Sequence, residues 1–303
     1  MFLIEIDGIS KSFGSLRALD RVSFSVKNGE IVGYVGLNGA GKTTTIRICV
    51  GVLNPDSGDV KIDGYSITYE KRIASRYIGW VPELPIFELD EKALNYFVYL
   101  AGYYGISYTE ARSLGRKLLE EVGLGNALNM KLKNFSLGMK KRFALAVSMI
   151  NNPSNFIFDE VLNGLDPQGI VFFRELTKRF KKENRAVLFS SHILKEVEDI
   201  ADKVVFIHRG RIVKIMTIDE IKSMVKPKFI IKIPSIDERA IDILKKYGDI
   251  INIDRDTIHI ENISRDISEI VEDLVKKGYR VEEFRKEEAS LEDVFFKIIG
   301  EAK

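Results

Sequence analysis

The segment Gly36-Leu37-Asn38-Gly39-Ala40-Gly41-Lys42-Thr43 fills every fixed position of G-x-x-x-x-G-K-[ST], the pattern of a loop that wraps phosphate groups. Glycines let such a loop curl until successive backbone N–H groups converge on an anion, and the following helix points its positive end at the same spot. The pattern needs a strand before it and a helix after it. Ile31-Val32-Gly33-Tyr34-Val35 is an unbroken apolar run, as a buried strand is, and residues 44–50 carry a helical pattern. In that setting Lys42 is expected to bridge β- and γ-phosphate oxygens, Thr43 to hold Mg²⁺ and Thr44 to lie near the α-phosphate. A second chemical pair, Asp159-Glu160, follows the apolar run Phe156-Ile157-Phe158, at the strand end where open parallel sheets bind their ligands. Asp159 suits Mg²⁺ through water, and Glu160 suits the polarising of an attacking water.

These groups require a sheet to hold them. Residues 2–6 and 22–26 alternate apolar and polar, as half-exposed strands do, while Phe156–Phe158, Ala186–Phe189 and Val204–Ile207 are short apolar strands separated by helical stretches at 167–182 and 193–201. Strand alternating with helix predicts an α/β protein with a mostly parallel sheet. Between the two chemical segments, 86–135 has helical spacing through Ala93, Leu94, Phe97 and Leu100 and again through Leu114, Leu118, Leu119 and Val122, and reads as a helical insert. Beyond about residue 215 the charge rises, and Lys226-Pro227-Lys228 suits a boundary. There the pattern runs strand (229–233), helix (237–247), strand (250–253), strand (257–261), helix (265–277), strand (279–285) and a last helix from Ser290. This is the split βαββαβ arrangement of a small α+β domain. The expected domains are 1–217, with a helical subdomain at about 86–150, and 218–303.

With both sites located, the residues around them resemble an ATP-binding cassette (ABC) ATPase, a P-loop NTPase whose core sheet carries an N-terminal antiparallel β part. Phe135-Ser136-Leu137-Gly138-Met139-Lys140-Lys141-Arg142 stands at the position of the family's signature, usually L-S-G-G-Q, with Leu137 and Met139 departing from it. Leu162-Asn163-Gly164-Leu165-Asp166-Pro167 resembles the D-loop, His192 the switch histidine, Phe13 the aromatic that stacks on adenine, and Trp80-Val81-Pro82-Glu83 the Q-loop with Glu in place of Gln. Val161 stands where a proline is common. The resemblance implies ATP and Mg²⁺ as cofactors, with Glu160, His192 and Lys42 as catalytic residues. It implies nucleotide contacts from Phe13, Gly36, Leu37, Asn38, Gly39, Ala40, Gly41, Lys42, Thr43, Thr44, Ser136, Gly138 and Asp166, and metal contacts from Thr43, Glu83 and Asp159. It further implies a head-to-tail homodimer sandwiching two ATPs, and a separate integral-membrane subunit, with Trp80 and Phe87 as residues for its docking groove. The S-x-G-M-K-K-R signature and Ala289-Ser290-Leu291-Glu292-Asp293-Val294-Phe295-Phe296 resemble the exporter branch.

Composition narrows the rest. With 46 Lys+Arg against 44 Asp+Glu the formal net charge is +2, and hydrophobic residues make up 45%, which excludes a disordered chain or a polybasic nucleic-acid tail. No nucleic-acid partner is expected. The chain has one cysteine, Cys49, so no disulfide framework exists, and Cys49 reads as a small core residue. No signal peptide or membrane span is recognised, and the expected location is cytoplasmic, peripheral on the inner face of the cell membrane through the membrane subunit. Two other readings compete: a cassette ATPase acting on nucleic acid or the ribosome, and an ATP-binding regulator without turnover.

Overall fold

The computed structural model describes residues 2–224, 228–261, 267–287 and 291–301. They divide into two compact units, the first running to Ile218 and taking up the chain again from Ile298, within the last helix, and the second from Asp219 to Lys297. In chain order the first unit opens with β1 (Phe2–Phe13) and β2 (Leu16–Lys27), followed by β3 (Ile31–Val35), α1 (Lys42–Cys49), β4 (Ser57–Ile62), β5 (Tyr65–Ser66), α2 (Lys71–Ala74) and β6 (Ile78–Val81). Helices α3 (Ala93–Gly102), α4 (Tyr108–Glu121) and α5 (Leu137–Ser148) come next. Then β7 (Asn155–Phe158), α6 (Pro167–Lys182), β8 (Ala186–Ser191), α7 (Leu194–Ile200), β9 (Lys203–His208) and β10 (Arg211–Thr217) complete the alternation, and α8 (Ile218–Met224) follows at the boundary between the units.

Two sheets result. One is antiparallel, in the order β2-β1-β4-β5; the other runs β10-β9-β3-β8-β7-β6, with every neighbour parallel except the β10-β9 pair. The apolar run of β3 lies at the centre of the second sheet and is buried at all five residues, which is why it shows no alternation. One hydrophobic cluster joins both sheets to α1, including Ile4, Val26, Tyr34, Ile46, Cys49, Val60 and Val205. Cys49 is fully buried there, and burial pushes its thiol up to about 12. In the helical segment α4 starts with a capping box, Ser107 accepting from the Glu110 N–H and the Glu110 carboxylate reaching back to the Ser107 N–H.

The second unit contains β11 (Lys228–Lys232), α9 (Glu238–Leu244), β12 (Asp249–Asp254), β13 (Thr257–Glu261), α10 (Ile267–Lys276), β14 (Glu283–Glu287) and α11 (Leu291–Glu301). Its sheet has the order β12-β13-β11-β14 with all neighbours antiparallel, the order a split βαββαβ unit requires. Phe229, Ile231, Ile258 and Ile260 pack with Ala240, Leu244, Ile270 and Leu274 into its core.

Several bounds differ from expectation. The last strand begins at Glu283, not Tyr279, because the Tyr279 N–H closes α10 on the Leu274 carbonyl and its hydroxyl bonds Asp237. Strands β4, β5, β6 and β10 and helix α8 were not anticipated. Residues 225–227, 262–266 and 288–290, which include part of the expected boundary, the start of the expected helix 265–277, and Ala289 and Ser290, lie outside the described residues.

Candidate active site

The glycine loop joins β3 to α1, as its pattern demands, and α1 starts at Lys42 without any side-chain cap. Its first-turn N–H groups therefore face the loop. Helix register is locked from within: the Thr45 hydroxyl donates to the Gly41 carbonyl at 3.0 Å and sits 3.0 Å from the Tyr34 hydroxyl in the core. Gly36 presses against β9, Ala40 belongs to the core and accepts from the Gly210 N–H at its carbonyl, and the Leu37 side chain faces outward. Lys42 is buried and curls back. Its Nζ donates to the Gly36 carbonyl at 2.7 Å and the Leu37 carbonyl at 3.3 Å, and lies 3.3 Å from Glu160 Oε1.

The acids arrive from β7. Asp159 Oδ1 accepts from the hydroxyls of Thr43 at 3.2 Å and Ser190 at 2.7 Å. The Ser190 Oγ also accepts the Glu160 N–H at 2.9 Å, so one hydroxyl at the end of β8 registers both acids. Burial raises the Asp159 carboxyl above its ordinary value, opposed by the two hydroxyl bonds and helped by the Glu83 and Glu160 charges. Glu160 adopts φ 45°, left-handed for a residue with a side chain. Its carboxylate is held by three groups: Lys42, His192 Nδ1 at 2.9 Å from Oε2, and the Asn163 amide donating to Oε2 at 3.2 Å. Lys141, from α5, is fully buried and donates to the Glu160 carbonyl at 3.1 Å. Burial lowers its ammonium to about 8, while Glu83, Asp159 and Glu160 pull the other way.

Around these groups lies a cleft of about 610 Å³, within the range of small-molecule sites, with Phe13, Asn38, Thr44, Glu83, Glu160 and Arg209 among its lining. Phe13 is half exposed at the hairpin between β1 and β2, with the Lys11 ammonium 5.9 Å from its ring centre. The other expected contacts are elsewhere. Ser136, Gly138 and Asp166 line a second cleft of about 580 Å³ with Leu137, Arg142 and Gly164, and the two linings share no residue. Ser136 caps α5 by accepting the Met139 N–H at 3.2 Å. Asp166 caps α6, accepting the Gly169 N–H at 2.9 Å, and the Arg142 guanidinium 2.7 Å away holds its carboxyl low. The residues expected to contact nucleotide thus line two separate clefts.

Trp80 packs partly against the main core and the Phe87 ring meets Phe143 edge-on at 5.0 Å, and both side chains stay partly exposed. Leu84 and Ile86 are the exposed apolar residues of that segment. Sequence reasoning assigned no role to Ser190, Asn163 or Lys141; Ser190 ends an apolar strand beside the expected His192, which was the available signal. Among the described residues no three or more His, Cys, Asp or Glu side chains converge as a metal cage. The adjoining Thr43 and Asp159 oxygens are of the type that would suit a Mg²⁺ ion that keeps waters and shares substrate phosphates.

A mixed sheet with its glycine loop and strand-end acids defines a P-loop NTPase, and comparison with known proteins specifies which. The family model described as "ABC transporter" matches residues 19–163. Over 305 residues the chain is 34% identical to the bacitracin transport ATP-binding protein BcrA of Bacillus licheniformis, covering 98% of this chain and 97% of that one. It is 37% identical to the lantibiotic transport ATP-binding protein SrtF of Streptococcus pyogenes over 211 residues, 70% of this chain and 89% of that one. A solved structure of the ATP-binding subunit of an ABC transporter superposes with a TM-score of 0.68 at 32% identity, covering 73% and 92% of the two chains. The chain belongs to the ABC transporter ATP-binding family, and is an ATP-binding, ATP-hydrolysing transport subunit. No described helix is long and apolar enough to cross a membrane.

Proposed function

We propose that this chain works as a homodimer closed by two ATP molecules, driving a separate membrane subunit of an exporter from the inner face of the cell membrane. The observation that carries this reading is the division of the nucleotide contacts between two clefts with no shared lining residue. A head-to-tail pair brings the Lys42 cleft of one copy to the Ser136 cleft of the other, and only then do both sets of groups face one nucleotide. Exporter direction rests on the S-x-G-M-K-K-R segment and on relatives over nearly the full chain named for transport of bacitracin.

In this mechanism Phe13 stacks the base and the loop amides with the α1 N-terminus bind the phosphates. Lys42 exchanges the Gly36 and Leu37 carbonyls for phosphate oxygens, a charge-assisted gain over neutral acceptors. Thr43 and Asp159 would hold Mg²⁺, with Glu83 at the cleft edge, and the ion would supply charge to offset the phosphates. Ser136 Oγ and the amides that open α5 meet the γ-phosphate of the partner's nucleotide. Glu160, left by Lys42, takes the proton of the attacking water while His192, with Nδ1 2.9 Å from Oε2, orients its carboxylate. Catalysis is then positioning and charge stabilisation.

Glu160→Gln tests the reading, because the amide keeps the shape and loses the base. Turnover should fall by about 10²–10⁴-fold, the usual worth of a general base, while sedimentation shows a dimer with MgATP and a monomer without. A wild type that binds ATP but neither dimerises nor hydrolyses would refute it in favour of a non-hydrolysing regulator.

A further inference from the structure

Helix α5 touches its own chain's hydrolytic segment at three points. Lys141 Nζ donates to the Glu160 carbonyl at 3.1 Å, the Leu137 side chain covers Gly164, where an added Cβ would meet Leu137 Cδ2 at 2.4 Å, and Arg142 pairs with Asp166 at 2.7 Å. Residues 137 and 141 are four apart, so they share the helix face that looks onto this segment.

Lys141 is the unexpected member. It is 1% exposed, and its hydrogen bond goes to a peptide carbonyl, although burying an ammonium is costly without a compensating role. That carbonyl belongs to Glu160, whose backbone is left-handed although it carries a side chain, a conformation kept only when its surroundings over-determine it. The Glu160 N–H is already fixed on Ser190 Oγ at 2.9 Å, and its carbonyl also accepts the Asn163 N–H at 3.2 Å. With both peptide groups pinned, the direction of the Glu160 side chain is set, and the carboxylate is aimed between Lys42 and His192.

We propose that Lys141 is a positioning residue for Glu160, tying the aim of the hydrolytic acid to the helix whose N-terminus contacts the partner's nucleotide. Closure on one ATP then bears directly on the base that acts on the other. This rests on the reading of Glu160 as the base.

The test compares full-length Lys141→Met and Lys141→Gln with wild type. Met fills the space without a donor, and kcat should fall about 10- to 100-fold, the scale of losing ångström-level placement, with KM for ATP unchanged within about threefold. Combined with Glu160→Gln, the Met variant should still dimerise with MgATP. Gln keeps an N–H on a shorter arm and should lie between, with a loss of about three- to tenfold. A Met variant with wild-type kcat overturns the proposal, as does equal loss in both variants or loss of turnover, dimerisation and melting temperature together. Should Lys141→Met fail to fold, the Gln variant decides alone: undiminished kcat overturns the proposal. The underlying reading fails separately, if Glu160→Gln itself retains turnover.

Discussion

Two glycines of the phosphate loop are glycine for different reasons, and replacing each with alanine separates them. At Gly36 the backbone is unstrained but crowded: an added Cβ would stand 2.5 Å from the Ile207 carbonyl oxygen and 2.8 Å from Ile207 Cγ2. Neither neighbour is free to give, since β9 pairs with β3 up to Val35 opposite Phe206. Reaching the 3.4 Å at which ordinary contact begins takes a shift of about 0.9 Å, and the loop has to make it. At Gly39 the situation is reversed, with φ +78° and nothing within 4 Å of the added atom. Gly39→Ala should cost only the left-handed backbone penalty, roughly 1–2 kcal/mol, and Gly36→Ala roughly 1–3 kcal/mol of overpacking. Stability thus barely distinguishes them; at about 2–4 °C per kcal/mol both should melt a few degrees early. Turnover distinguishes them, because Gly36→Ala displaces the amides that bind phosphate by nearly an ångström and should lower kcat/KM by about 10²-fold. Gly39→Ala leaves those amides in register and should lose no more than about tenfold. Calorimetry and steady-state MgATP hydrolysis on both variants make the measurement. Equal loss in the two, or a Gly36→Ala enzyme with wild-type kcat/KM, would refute the steric account of the loop.

Burial raises the Asp159 carboxyl, so its ionisation costs the folded state stability, a cost absent below the unfolded value near 3.8 and complete once pH has risen past the folded value. Asp159→Asn, which still accepts from Ser190 and Thr43, should therefore melt higher than wild type at pH 7 without nucleotide, by a margin that shrinks toward pH 4, while Mg²⁺-dependent turnover collapses. A variant that melts lower at pH 7 contradicts this. Cys49, with no exposed surface and its thiol pushed up to about 12, should react with a maleimide at pH 8 only as fast as the fold opens. MgATP should slow that labelling further, as followed by mass spectrometry; labelling within the mixing time would show the core position to be wrong.

Legibility in the sequence followed from how local each constraint is. Helix α6 occupies the residues its pattern predicts, 167–182, because Asp166 caps it and Pro167 opens it, two signals within two residues. The phosphate loop was readable for the same reason: the fold of the loop and its chemistry use the same glycines. Strand β10 was not, since its burial follows no period of two and its identity comes only from pairing with β9. Likewise β6 is four residues long and becomes a strand by lying against β7. Lys141 illustrates the limit for site residues. A lysine in a helix reads as solvent-facing, and only the fold reveals a carbonyl nineteen residues away as its partner. Trp80 and Phe87 show a related limit: aromatic residues beside the site suggested a docking groove, and packing against the core and Phe143 leaves each of them partly exposed.

The groups that the proposed cycle uses have partners within the chain itself. Lys42 rests on two carbonyls and Glu160, Asp159 on two hydroxyls, Glu160 on Lys42, His192 and Asn163. ATP therefore enters by exchange, and its net affinity is the difference between two sets of good contacts rather than the sum of one. The exchange has a direction built into it. In the proposed cycle Lys42, 3.3 Å from Glu160 Oε1, has to leave that carboxylate oxygen before a water can be placed against it. The triphosphate draws Lys42 away, and the same event that fills the site makes its acid competent. Hydrolysis and phosphate loss return the lysine. On the proposed mechanism a closed dimer would need no separate trigger for turnover, and opening would be favoured once the contacts that ATP displaced re-form.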